Sequence, residues 1–167
     1  MKKLRVHAFK SPLGTIRVAS TDKGLALLAL PSEGSAWFDG MLKKKFSDYE
    51  VATGGEINRS VEKQITEYFA GRRRRFELKL DLQAPPFHAR VLKEVARIPY
   101  GKTRSYGEIA SAVGNAGACR AVGTANARNM IPIVIPCHRV VSATGLGGYG
   151  GGLPMKRFLL RLESVAS

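Results

Sequence analysis

The stretch whose reading decides the fold is residues 105–128, "SYGEIASAVGNAGACRAVGTANAR". Ser105 is followed three residues later by Glu108, with apolar Ile109 and Val113 beyond. A serine hydroxyl that accepts the third helical N–H, and a glutamate that reaches back to the serine N–H, make a reciprocal cap. This spacing predicts a short helix that Ser105 caps and Gly114 ends. "NAG" then reads as a turn, and residues 118–128 regain helical character. Two short helices joined by a glycine-containing turn outline a helix-turn-helix. The second helix carries small residues: Ala118, Ala121, Gly123, Thr124, Ala125 and Ala127. Helices that read the major groove carry long polar side chains instead. Here the long polar groups are Arg120, with Asn126 and Arg128 toward the end. The small residues admit two readings: close approach to a widened minor groove, or tight helix packing.

Upstream, "PFHARVLKEVARIP" has a proline near its start, apolar Phe87, Val91, Leu92 and Val95, and Pro99 beyond its end, which predicts another helix. "QAPP" at 83–86 reads as a linker, dividing the chain into an N-terminal domain, 1–82, and a C-terminal domain, 83–167. The N-terminal part is of a different kind. "KLRVHAFK", "GTIRVAS" and "LALLALP" are strand-compatible runs separated by the turn signals "SPLG" and "TDKG". "SAWFDGMLKKKF" and "INRSVEKQITEYFAG" predict helices, the second stopped by Gly71. "FELKLDL" alternates as a strand. The arginine run at 72–75 is a solvated basic segment or a phosphate contact. The fold class is therefore α/β in the α+β sense, a sheet with helices followed by a helical domain.

The chain has 167 residues, with 27 Lys and Arg against 13 Asp and Glu, a formal charge of +14. Such a field favours polyanions, whether nucleic acid or an anionic surface. The C-terminal domain has only three acids, Glu94, Glu108 and Glu163. A half so poor in carboxylates suits an approach to phosphates. No apolar run is long enough for a transmembrane helix, and the N-terminus lacks the apolar core of a signal peptide. Two cysteines, 119 and 137, are no disulfide framework. A reducing, cytoplasmic setting with free thiols and no membrane partner is expected. His7, His88 and His138 are scattered, so no metal site is expected.

Residues 131–141, "IPIVIPCHRVV", place Cys137 between a proline and two basic side chains. Positive neighbours lower a thiol pKa and raise the thiolate fraction. A histidine beside a cysteine, oriented by a carboxylate, is a recurring nucleophile arrangement, and Glu163 is the only acid beyond Glu108 that could orient His138. The plainer reading, an inert buried thiol, remains open on these residues alone. Cys119, among small residues, reads as packing. "GLGGYGGG" at 145–152 lacks a dinucleotide or P-loop pattern. It reads as a turn that brings backbone close to a ligand, with Tyr149 offering a ring to stack on a base.

Taken together, "IPIVIPCHRVV", "RSYGEIA", "RAVGTANARN" and "GGYGGGLPMKRFLLRLE" closely resemble the O6-alkylguanine-DNA alkyltransferases, densely over 85–163 and more loosely over 1–82. The resemblance implies a ribonuclease H-like N-terminal domain and a C-terminal domain like a winged helix-turn-helix. It implies irreversible, single-turnover transfer of an alkyl group from O6-alkylguanine in double-stranded DNA, and from O4-methylthymine, to Cys137, with base flipping. Under it His138 and Glu163 activate the thiol through a water, and Asn129 is the hinge between helix and active-site strand. Arg120 fills the gap left by the flipped base, and Tyr106 crowds the neighbouring phosphate and assists the leaving guanine. Gly107, Asn115 and Ala121 join Arg120 and Tyr106 on the DNA. Pro136, Val140, Tyr149, Gly150 and Lys156 line the substrate pocket. No cofactor is implied, and a monomer is expected. "FHARVL" at 87–92 departs from the bacterial pattern, so packing there differs. Two alternatives are a lesion-binding protein that flags damage, argued against by the presence of Cys137, and a helix-turn-helix regulator with Cys137 as sensor.

Overall fold

The computed structural model describes residues 2–164. The chain divides into two compact units, Met1–Leu82 and Gln83–Ser167. In the first, β1 (Lys2–Ser11), β2 (Gly14–Ser20) and β3 (Leu25–Ala29) form an antiparallel meander. β4 (Tyr49–Thr53) adds to β1 in parallel, giving the order β3-β2-β1-β4. The parallel pairing requires a crossover, and α1 (Gly34–Lys45) lies within it. β3, the unbroken apolar run "LALLA", is buried along its whole length. α2 (Glu56–Phe69) turns Val61, Ile65 and Tyr68 inward at helical spacing, and Gly71 adopts φ +75° where the helix stops.

Two sequence expectations change here. β4 was not anticipated, because "YEVAT" leaves Val51 half exposed and shows no inward alternation. The expected strand at 76–82 reduces to a single bridge between Leu25 and Leu80. The Gln64 side chain explains this: its amide donates to Glu77 O at 3.1 Å and accepts from Glu77 N–H at 2.8 Å. A side chain thus satisfies the groups that a neighbouring strand would have paired. Within the arginine run, Arg73 donates to Glu67 Oε1 at 2.9 Å and to Arg75 O at 2.9 Å. It is a local clasp behind α2.

In the second unit, α3 (Pro86–Val95), α4 (Tyr106–Ala112) and α5 (Cys119–Ala127) pack on one another. Their contact buries Val91, Leu92, Val95, Ile109, Ala110, Val122 and Ala125. A seven-residue helix cannot persist alone in water. α4 is held by burial of Ile109, worth roughly 1.5–3 kcal/mol, and by its cap, worth about 1 kcal/mol. That cap is the expected box: Glu108 N–H donates to Ser105 Oγ and Ser105 N–H to Glu108 Oε1, both at 3.0 Å. β5 (Arg104–Ser105) pairs in parallel with β6 (Val140–Val141). This short ladder lies between the start of α4, at Tyr106, and the single 3-10 turn that contains Cys137. α6 (Leu153–Leu162) closes the unit. Among the described residues no helix is long and apolar enough to cross a membrane.

Candidate active site around Cys137

The segment that carries Cys137 is held in an unusual path. Ile133, buried and β-branched, adopts φ +72°. Such a conformation costs roughly 1–3 kcal/mol and persists only where its surroundings fix it. Two groups do so. Ile135 N–H donates to Ile131 O at 2.9 Å. Asn129 donates to Ile135 O at 2.9 Å and accepts from Ile131 N–H at 3.0 Å. The Asn129 side chain also hydrogen-bonds the Cys137 thiol. Pro136 (φ −80°, ψ 66°) then turns the chain into the one-turn 3-10 helix Cys137–Arg139.

Behind the thiol lies a buried charge cluster. His138 Nε2 donates to Glu163 Oε2 at 2.7 Å. Arg139 grips the same carboxylate in a fork, Nε to Oε1 at 2.8 Å and Nη2 to Oε2 at 3.0 Å, and donates to Ile98 O at 2.7 Å. Burial pushes His138 below its ordinary pKa, against the upward pull of Glu163. The ring is therefore neutral, with its proton on Nε2 and a lone pair on Nδ1. Nδ1 is buried and has no hydrogen-bond partner among the described residues. A buried acceptor left open beside a thiol is suited to receive a proton, directly or through a water.

The sequence reading expected positive neighbours to depress the Cys137 pKa. The structure reverses this. The thiol is 5% exposed, and burial pushes its pKa up to about 11, despite the Asn129 hydrogen bond and the Lys156 charge. Arg139 does not help the thiolate because Glu163 takes up its charge. The resting group is a protonated thiol.

Lys156, fully buried, donates from Nζ to Val140 O at 2.6 Å, Leu146 O and Gly148 O at 2.9 Å. Burial lowers its pKa to about 8, opposed by Cys137. Three carbonyls around one ammonium pin the 145–152 loop to the strand that follows Cys137. Tyr106 holds the same loop from the other side: its hydroxyl accepts from Gly148 N–H at 3.3 Å. Gly147, at φ +73°, lies so close that a Cβ there would sit 2.8 Å from the Tyr106 ring and hydroxyl.

Between loop and helix lies a cavity of about 250 Å³, lined by Tyr106, Gly123, Asn126, Ala127, Gly148, Tyr149 and Gly150. Asn126 joins it to the nucleophile segment, donating from Nδ2 to Cys137 O at 3.2 Å. The structure thus gathers Cys137, His138, Glu163, Pro136, Val140 and Lys156 into one buried cluster, with Asn129 part-buried at its edge and Tyr106, Tyr149 and Gly150 around the adjoining cavity. Arg120, Asn115 and Ala121 instead lie exposed on α5 and the turn before it. Gly107 sits in α4, where a Cβ would approach Cys119 Sγ only to 3.9 Å. Cys119, expected as packing, is exposed at the start of α5. Asn126 and Arg139 were noticed only as helix polarity and as charge. The signal for Arg139 was a buried carboxylate needing a counter-ion, which requires knowing that Glu163 is buried. Among the described residues no group of three or more His, Cys, Asp or Glu could hold a metal ion.

Both units of the chain match known proteins. Residues 4–82 match the ribonuclease-like domain of 6-O-methylguanine DNA methyltransferase, and residues 86–165 match the DNA-binding domain of the same family. A methylated-DNA–protein-cysteine methyltransferase of Methanosarcina acetivorans is 42% identical over 156 residues, covering 93% of this chain and 95% of the relative. One from Methanosarcina mazei is 43% identical over 159 residues, covering 94% and 95%. The crystal structure of Mycobacterium tuberculosis OGT in complex with DNA superposes with a TM-score of 0.82 at 39% identity, covering 95% of this chain and 92% of that one. With both domains matched in order and close relatives aligned over almost their full length, the chain belongs to the 6-O-methylguanine DNA methyltransferase family.

Proposed function

We propose that this protein repairs DNA by taking the alkyl group of O6-alkylguanine onto Cys137 in a single, irreversible step. The observation that carries the reading is a buried thiol next to a histidine with one nitrogen fixed by Glu163 and the other unengaged, beside a cavity flanked by two tyrosines. O6 of a stacked guanine is out of reach of a buried thiol, so the base must rotate out of the duplex. The basic, acid-poor C-terminal unit binds phosphates. Arg120, exposed on α5, enters the space the base leaves, with Asn115, Gly107 and Ala121 on the surrounding DNA face. Tyr106 and the 145–152 loop receive the base.

In the transfer step, His138 Nδ1 takes the thiol proton through a water. The thiolate attacks the alkyl carbon opposite O6; the S–C bond forms as the C–O6 bond breaks. The electron pair passes to guanine, and the proton follows to the base, giving neutral guanine and a thioether. The high resting pKa of Cys137 keeps the thiol protonated, and so unreactive, until a substrate is in place. Because a thioether has no leaving group that water displaces, each chain acts once.

The test is stoichiometry. Protein is mixed with excess duplex DNA carrying a labelled O6-methyl group, and protein-bound label is followed to its plateau. A plateau of one methyl per active chain supports the reading. Tight binding without label transfer, or label released in continuing turnover, overturns it.

A further inference from the structure

Glu163 orients His138, and part of what holds Glu163 is a turn that the transfer chemistry does not otherwise use. Residues 98–101, Ile98-Pro99-Tyr100-Gly101, follow α3 and are closed by Lys102 N–H donating to Pro99 O at 3.1 Å. The turn lies against the buried charge cluster. Ile98 O accepts from Arg139 Nη1 at 2.7 Å, and Gly101 N–H donates to Glu163 Oε1 at 3.3 Å. Gly101 has φ +79°, and a Cβ there would come within 3.3 Å of Glu163 O, so the positive φ and the narrow gap both favour glycine. Between them, Tyr100 makes two contacts. Its hydroxyl donates to Leu162 O at 3.2 Å. Its ring centroid lies 5.8 Å from the Arg139 guanidinium, within reach of a cation–π attraction. Leu162 O belongs to the last turn of α6, where carbonyls have no partner within the helix. The next residue is Glu163, the cap of that helix.

We infer that Tyr100 is a positioning residue for alkyl transfer: by tying down the last turn of α6 and flanking Arg139, it sets the Glu163 carboxylate where it holds the His138 proton on Nε2. This rests on the reading of His138 as the group that takes the thiol proton. Helix ends fray, and a carboxylate carried on a cap moves with its end of the helix. The Tyr100 hydroxyl gives Leu162 O a fixed donor, one residue before that carboxylate. The Tyr100 ring bounds the guanidinium whose fork grips the same two oxygens. Without these contacts Glu163 is freer to move from its 2.7 Å bond to His138 Nε2. The ring proton then divides between the two nitrogens, and whenever it resides on Nδ1 that atom cannot accept another. The effect of Tyr100 on the reaction thus passes through Glu163 and Arg139.

The test is Tyr100→Phe, which deletes the hydroxyl and keeps the ring beside Arg139. Its maximal single-turnover rate with free O6-benzylguanine, where no duplex need open, should fall by about two- to tenfold, the range for one lost hydrogen bond. The half-saturating concentration should not change. The same substitution made in Glu163→Gln should slow transfer no further, because the two residues act in series. The nitrogen NMR resonances of the His138 ring report the cause: Nδ1 and Nε2 should move toward each other in Tyr100→Phe as the tautomers mix. A residue that served stability alone would lower the melting temperature and leave the rate and the ring nitrogens as in the wild type, which overturns the inference. An equal loss of rate in both backgrounds overturns it too. Should Glu163→Gln not fold, ring nitrogens unchanged in Tyr100→Phe overturn it on their own. Absence of transfer by the wild-type protein would instead refute the proposed function itself, while the ring nitrogens would still decide whether Tyr100 places Glu163.

Discussion

The buried cluster of His138, Arg139 and Glu163 makes a prediction in which stability and chemistry separate. In Glu163→Gln, one amide oxygen replaces a carboxylate that now serves four N–H groups: His138 Nε2, two nitrogens of Arg139, and Gly101 N–H at 3.3 Å. The buried guanidinium loses its counter-ion. Removing one partner of such a pair costs about 3–5 kcal/mol, which lowers the melting temperature by on the order of 10 °C or more. Four donors then compete for one neutral amide oxygen, and the His138 proton is no longer held firmly on Nε2, so transfer should slow by about a hundredfold or more, the scale of a misplaced general base. The counterpart is Arg139→Met. It too is destabilised, because Glu163 loses its cation, but the His138–Glu163 bond survives. Burial and Arg139 both lower the His138 pKa while Glu163 raises it. Without Arg139 the pKa rises, a larger fraction of the ring is protonated at a given pH, and Nδ1 is lost as a base sooner on acidification. The acid limb of the single-turnover rate profile should therefore move to higher pH, with recovery on the alkaline side. Rate profiles and thermal melts of both variants in one buffer series make the comparison. Wild-type transfer by Glu163→Gln, or an acid limb moved downward in Arg139→Met, would refute the assigned roles.

Other outcomes follow from the same geometry. Without DNA, alkylation of Cys137 by iodoacetamide should be slow near neutrality and rise about tenfold per pH unit toward pH 11, as only the thiolate reacts. A plateau at the ordinary thiol value would show that burial does not control the group. Gly147→Ala should drive Tyr106 off the loop, since its Cβ meets the ring at 2.8 Å and its φ is positive. It should lose roughly 1–3 kcal/mol in a denaturant melt, whereas Gly148→Ala, whose Cβ meets nothing within 4 Å, should stay within about 0.5 kcal/mol. Arg120→Ala should slow repair of duplex DNA by orders of magnitude, because flipping costs a few kcal/mol, while reaction with free O6-benzylguanine changes little. Equal losses on both substrates would mean a folding defect.

What the sequence disclosed depended on how local the physics was. The Ser105–Glu108 cap and the inward face of α2 are set by residues three or four apart, so their spacing was enough. β4 was missed because its pairing with β1 comes from residues almost fifty positions away, and its own pattern is half exposed. The strand expected at 76–82 failed because one remote side chain, Gln64, claims its backbone. The same limit applied at the site. Cys137, His138 and Glu163 could be named from residue type and resemblance. The state of the thiol could not, because it depends on burial and on Glu163 neutralising Arg139, and neither is visible in "PCHR". Asn126 was legible as a polar residue on a helix of small ones. That its amide holds the Cys137 carbonyl is a fact of three-dimensional packing alone.

The most direct test of the account is to locate the methyl group after one turnover. The protein is reacted with an equimolar O6-methylguanine duplex, digested, and its peptides mapped by mass spectrometry. The account predicts unmodified guanine in the DNA and one added methylene on the peptide containing Cys137, with the Cys119 peptide unchanged and no transfer by Cys137→Ser. A methyl found on Cys119, released as methanol, or still transferred by Cys137→Ser would contradict it.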